Sequence, residues 1–212
     1  MKYTTLPHTN IKVSKICLGT MTWGNQNTQD EAFEQMDYAL DQGVNFFDTA
    51  ELYPVPATAE KYADTERIIG NWFQKTGKRD KVVLGTKIAG PGDYTAHIRT
   101  NGFSPDAIKD AVNKSLERLQ TNYLDLYQLH WPERHTNMFG IRDYKHDSKE
   151  QWEDSFNEIL HTLDGIIKEG KIRHIGISNE KAWGTMRYLE ESKNHNLPRM
   201  VTIQNAYNLL NR

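Results

Sequence analysis

Val44-Asn45-Phe46-Phe47-Asp48-Thr49-Ala50-Glu51-Leu52-Tyr53 is the stretch that decides how the rest of the chain reads. It opens as a β-branched and aromatic strand after Gly43, a helix stop. The strand ends on the carboxylate of Asp48, and a phenol, Tyr53, follows five residues later on a loop. A buried strand that ends on an acid and passes into a loop is where parallel α/β barrels carry their chemistry. Two further strands end in the same manner, one on Lys87 and one on His130.

Working outward, the residues before this stretch alternate weakly around His8-Thr9-Asn10, which predicts a short hairpin at about 3–16. Residues 16–21 read as a first buried strand, with Cys17 as a packing residue. Thr28 and Glu31 form a capping box for a helix whose apolar side is Phe33, Met36, Tyr38 and Leu40. Past the loop of Pro54, Pro56 and Ala57, a helix with Ile68, Ile69, Trp72 and Phe73 runs to Gly77. Residues 81–87 form the third strand. Ser104-Pro105 starts the next helix, with a serine cap and proline at the first helical position. Residues 123–130 form the fourth strand, and a polar loop covers 131–150. A helix through Ile159, Leu163 and Ile166, a strand at 174–179, a helix through Trp183, Met186 and Tyr188, and a strand at 200–205 complete the pattern.

Strand-helix alternation with continuous apolar strands admits two architectures: a (β/α)₈ TIM barrel or an open doubly wound sheet. No G-x-G-x-x-G follows the first strand, which counts against a dinucleotide-binding Rossmann domain. Reactive side chains at several strand ends favour the barrel. Six strands are readable, whereas a barrel needs eight over ~250 residues. The expectation is a single, incomplete α/β TIM-barrel domain over 1–212, stopping after about six β/α units.

Composition narrows the class. The 212 residues carry 26 basic and 28 acidic side chains, a net charge of -2, so neither nucleic acid nor an anionic membrane is an expected partner. No apolar run approaches the ~18 residues of a membrane span, and no signal peptide is readable at the start. One cysteine permits no internal disulfide, which suits a reducing, cytoplasmic setting. His130, His135 and His146 lack a metal-ligand spacing, so no metal site is expected.

Asp48, Tyr53, Lys87 and His130 each have an ordinary reading alone: a loop cap, a half-buried aromatic, a solvated lysine, a core histidine. Together they make an acid-base set. A phenol titrating near ~10 is a poor acid at neutrality. A nearby ammonium lowers that value, and a carboxylate keeps the ammonium charged. The phenol can then donate a proton to an oxygen that is gaining charge.

In type, order and strand context these four residues resemble the catalytic tetrad of the aldo-keto reductases. The likeness extends to Leu18-Gly19-Thr20-Met21, Asp48-Thr49-Ala50, Gly85-Thr86-Lys87, His130-Trp131-Pro132 and Gly170-Lys171-Ile172-Arg173-His174-Ile175-Gly176-Ile177-Ser178-Asn179. Tyr53-Pro54-Val55-Pro56 and the closing 203–212 stretch, ending on Asn211-Arg212, look like the bacterial Tas-like branch. The resemblance implies hydride transfer from NADPH to an aldehyde or ketone. Tyr53 would be the general acid, Lys87 would tune it, Asp48 would hold Lys87, and His130 would orient the carbonyl. Ser178, Asn179 and Gln204 would hold the nicotinamide carboxamide, with Gly19 and Thr20 beside the cofactor. Trp23 and Trp131 would wall the substrate pocket; from the residues alone, Asn179 could instead cap a helix and the two tryptophans could be core. Family members continue for more than a hundred residues past this point, so the segment that grips the cofactor phosphates is not among these residues. The alternative is a non-catalytic or redox-sensing regulatory chain, similar to potassium-channel β subunits. The oligomeric state is not readable.

Overall fold

The computed structural model describes residues 1–141 and 143–210; the closing Asn211-Arg212 of the family-like stretch lies outside them. β1 (Tyr3–Thr5) and β2 (Lys12–Ser14) pair antiparallel as the expected hairpin. Six parallel strands follow in simple sequential order: β3 (Cys17–Gly19), β4 (Phe46–Asp48), β5 (Val83–Ile88), β6 (Leu124–Leu129), β7 (Ile172–Ser178) and β8 (Met200–Gln204). Parallel neighbours need long crossovers, and α1 (Gln29–Asp41), α2 (Asp64–Thr76), α3 (Pro105–Arg118), α4 (Phe156–Lys168) and α5 (Ala182–His195) supply them.

Local chemistry sets several of these boundaries. The Thr28 hydroxyl accepts from the Glu31 amide while the Glu31 carboxylate accepts from the Thr28 amide, so both halves of the capping box are made at the start of α1. Ser104 caps α3 through the Ala107 amide, with Pro105 first in the helix. Gly77 ends α2 at φ +66°, in the left-handed region, and its N–H satisfies the Phe73 carbonyl.

One face of the sheet supports the helices. Phe47, Leu84, Leu129, Ile175 and Ile177 share a buried core with Phe33 and Met36 of α1, Ile69 and Trp72 of α2, Ile108 and Val112 of α3, and Leu160 and Leu163 of α4. The other face carries polar side chains, and these show that the sheet is curled. Gln204 of β8 donates to Asp48 of β4 at 3.1 Å, although β4 and β8 lie four places apart in the sheet. In a flat sheet, four steps of ~4.8 Å would separate them by about 19 Å. The strands therefore form an arc of an α/β barrel, with the polar face inside, rather than an open doubly wound sheet.

The arc has edges at β3 and β8, and the expectations that fail lie mainly there. The first strand is three residues long, and Cys17 on it is exposed rather than packed, because β3 has a neighbour on one side only. Ile203 on β8 is 49% exposed for the same reason. Tyr38, expected on the apolar side of α1, is 68% exposed, and Trp183 and Met186 of α5 also face outward. Among the described residues, no helix is long and apolar enough to cross a membrane, and no group of three or more His, Cys, Asp or Glu could hold a metal ion.

Candidate active site

Parallel register aligns the C-terminal strand ends on the concave side. Gly19 stands opposite Asp48, Lys87 opposite Gln128, and Ser178 opposite Gln204. Lys87 is 1% exposed. A buried ammonium is tolerable only when paired, and Lys87 Nζ donates to Asp48 Oδ2 at 2.7 Å and to the Thr49 carbonyl at 2.9 Å. The same nitrogen lies 5.1 Å from the centre of the Tyr53 ring, and the His130 ring meets that phenol edge-on at 5.6 Å. The structure thus brings Asp48, Tyr53, Lys87 and His130 together.

Their electrostatics differ from the sequence reading in one respect. Lys87 does pull the Tyr53 phenol toward ionisation, but burial is the larger effect and Asp48 adds to it, so the phenol is raised overall. His130 is pushed well below the ordinary histidine value by burial first and by Lys87 second. It is therefore a neutral imidazole at physiological pH, and among the described residues its buried Nδ1 has no hydrogen-bond partner.

The remaining expected residues divide. The Thr20 hydroxyl is buried and donates to the Asp48 carbonyl, fixing the end of β4. Gly19 is open: a Cβ there would meet nothing within 4 Å. Asn179, at φ +54°, donates from its side chain to the carbonyl of His130 and to the Ser178 hydroxyl, which itself donates to the Gln204 carbonyl. Asn179 does not cap α5, whose N-cap is Lys181. The Gln204 amide turns inward to Asp48 and Gln128, not toward Asn179. Trp23 belongs to the main core, its indole N–H donating to Gln35 of α1, whereas Trp131 shares a small cluster with Ala50, Leu52, Tyr53 and Ala89. The Trp131 ring presses so closely on Gly90 that a Cβ there would fall 2.3 Å from its nitrogen, so only glycine fits.

Three neighbours escaped the sequence reading. Gln128, 2% exposed, donates to Asp48 Oδ1 at 3.4 Å and to Gln204 Oε1 at 3.3 Å. A glutamine two residues before His130 on the same strand was the available signal, since alternation puts both on one face. Tyr94 stacks on Trp131 at 5.5 Å and Phe139 meets its edge at 5.6 Å. Trp131 is itself 1% exposed, so the aromatic surface open to solvent belongs to Tyr94 and Phe139. Nothing in their loop composition announced them.

Comparison with known proteins was informative along nearly the full chain. The sequence model of the aldo/keto reductase family matches residues 15–212. Protein tas of Escherichia coli is 47% identical, aligned over 100% of this chain and 62% of its own length. An uncharacterized oxidoreductase of Bacillus subtilis, YrpG, is 36% identical over 100% of this chain and 60% of its own. The chain spans about three fifths of the length of these curated relatives. Among solved structures, a thermostable aldo-keto reductase in complex with the inhibitor epalrestat superposes with a TM-score of 0.70 at 24% identity, covering 98% of this chain and 63% of that one, a likeness of fold. The arc of parallel strands and the family match over 15–212 lead to one assignment: the chain belongs to the aldo/keto reductase family.

Proposed function

We propose that this chain carries the proton-donating half of a carbonyl reductase that takes hydride from NADPH and delivers it to an aldehyde or ketone. One observation carries the reading: a fully buried ammonium, held by a carboxylate, faces a phenol that a neutral imidazole also touches. Asp48 pairs with the buried Lys87 ammonium and holds it beside the phenol. Lys87 makes the phenolate left after proton transfer less costly, so Tyr53 can give its proton to a carbonyl oxygen gaining charge. His130, being neutral, can donate one N–H to the same oxygen and orient it.

The residues present fit the nicotinamide end of such a cofactor. Among the described residues no donor reaches the Asn179 side-chain oxygen, which leaves it for a carboxamide N–H, and the space over Gly19 is open. Ser178 and Asn179 would hold that carboxamide, and Gln204 would join them only by leaving Asp48. NADPH, when bound, would supply the hydride. Tyr94 and Phe139 offer an uncharged aromatic wall for the substrate.

Two measurements test this. NADPH should quench the fluorescence of the five tryptophans saturably. Tyr53→Phe should lower reduction of 4-nitrobenzaldehyde by about 10²–10⁴-fold while leaving that quenching intact. Parent-level turnover by Tyr53→Phe would remove the phenol from the reaction. Saturable binding with no turnover in the parent would instead favour a redox-sensing regulatory chain.

A further inference from the structure

The loop that carries Tyr53 also buries a carboxylate for which the proton-transfer chemistry has no use. Glu51 is 0% exposed and lies two residues before the phenol. Its backbone N–H donates to the Lys87 carbonyl at 3.1 Å, and its side-chain Oε1 accepts from the Ala89 N–H at 2.6 Å. One residue therefore grips the strand end on both sides of Ile88. Arg99 balances the charge: its guanidinium donates to both Glu51 oxygens, with Nη2 at 2.7 Å from Oε2. The Tyr62 hydroxyl donates to Oε2 at 3.2 Å.

We infer that Glu51 is a positioning residue, which sets the separation of the Tyr53 phenol from the Lys87 ammonium by clamping the loop of one to the strand end of the other. The inference rests on the reading of Tyr53 as proton donor. A surface glutamate could not serve this way, because water would compete for both contacts. A buried carboxylate with a two-pronged arginine partner holds its geometry.

A second buried carboxylate supplies the contrast. Glu66 of α2 is also 0% exposed. It accepts from Thr86 Oγ1 at 2.6 Å, Arg118 Nε at 2.6 Å and Ser115 Oγ at 3.3 Å. Its side chain thus ties α2 to β5 and α3, and it meets Glu51 only through their shared partner Arg118, whose Nη2 lies 3.9 Å from Glu51 Oε2; among the described residues it accepts no hydrogen bond from residues 49–61. The charged groups that act on the phenol are Lys87 from β5 and Asp48 from the end of β4, and neutral His130 adjoins it from the end of β6. Loss of the Glu51 charge by itself would favour the phenolate. Release of Lys87 would do the opposite. The sign of the change separates the two.

The test is an alkaline titration of the 212-residue chain with ¹³Cζ-labelled tyrosine, the Tyr53 line being assigned with Tyr53→Phe. Glu51→Gln should move the Tyr53 midpoint upward, equivalent to about tenfold tighter proton binding, while Glu66→Gln leaves it in place. An unmoved or lowered midpoint in Glu51→Gln overturns the inference, as does an equal shift in both variants. If Glu51→Gln fails to fold, Glu51→Asp serves: it keeps the charge against Arg99 but falls short of the Ala89 N–H, and the same upward shift is expected. A folded Glu51→Asp with the parent midpoint also overturns it. In turnover, Glu51→Gln should lower kcat about tenfold with KM for NADPH unchanged, and a KM effect alone would refute positioning. A parent chain that reduces no aldehyde would count against Tyr53 as proton donor, while the Tyr53 line would still report on Glu51.

Discussion

Two buried aspartates stand at opposite ends of the same sheet. Asp48, at the C-terminal end, pairs with one lysine and accepts from two neutral amides, Gln128 and Gln204, beside atoms that have no partner among the described residues, Thr49 Oγ1 and His130 Nδ1. Asp125, at the N-terminal end, is held by two guanidiniums. It accepts from Arg79 at 2.8 Å, Arg173 at 2.6 Å and the Leu84 amide at 3.0 Å. Both guanidiniums also lie 4.0 Å from the ring centre of Tyr123. A carboxylate shared between two guanidiniums and a strand amide binds β5, β6 and β7 together. The pair at the other end is arranged so that its field reaches a third group, the phenol. Barrel enzymes divide reactivity and stability between these two ends in the same way.

The contrast is easiest to break at its largest expected effect. Lys87→Met should reduce carbonyl turnover by about 10²–10⁴-fold, because the phenol loses the cation that acts on it; a parent-like rate would erase the distinction between the ends. Next, Arg79→Ala should cost about 3–5 kcal/mol in urea unfolding, since it strips a nearly buried partner from a buried carboxylate, while the kcat of the folded fraction holds. Loss of kcat without loss of stability would reverse the assignment. Arg173→Ala should cost less than about 1 kcal/mol, because that side chain is 53% exposed and solvent screens the pair.

A pH dependence sharpens the comparison from the side of the imidazole. His130 resists protonation in the folded state. Below the ordinary histidine value of 6.5 the unfolded chain therefore binds more protons, and stability falls as pH drops, by at most about 1.4 kcal/mol per pH unit for one group. His174, lowered by burial and by Arg173, acts in the same direction. Urea midpoints between pH 5 and 8 should thus slope less in His130→Gln than in the parent; an identical slope would mean that His130 is protonated in the fold.

What the sequence made legible follows the range of the forces involved. Thr28, Glu31, Ser104 and Pro105 act within one helical turn, and their caps appear as expected. The succession of strands and helices was readable from alternation, though not the choice between barrel and open sheet, and Asp48, Lys87 and His130 were readable from their places at strand ends. Glu51 was not readable, because its partner Arg99 lies 48 residues on and a loop glutamate looks like a solvated one. The net direction at Tyr53 was missed for a related reason: spacing displays the lysine but not how much water the phenol loses. Cys17 and Trp23 erred in opposite senses. One lies on an edge that local pattern cannot reveal, and the other is enclosed between α1, which follows it, and α2, whose Thr65 lies 42 residues on.

The bond between Gln204 and Asp48 also sets an order of events. Asp48 and Lys87 are 39 residues apart, whereas Gln204 and Asp48 are 156 apart, so the first contact closes a far shorter loop. During synthesis at ~5–20 residues per second, β8 would leave the ribosome about 4–15 s after His130. The acid-base cluster can therefore gather on a nascent chain whose arc is still incomplete. Its interior is bridged across only when β8 arrives, and until then the carboxylate of Asp48 would be open to water and to passing chaperones.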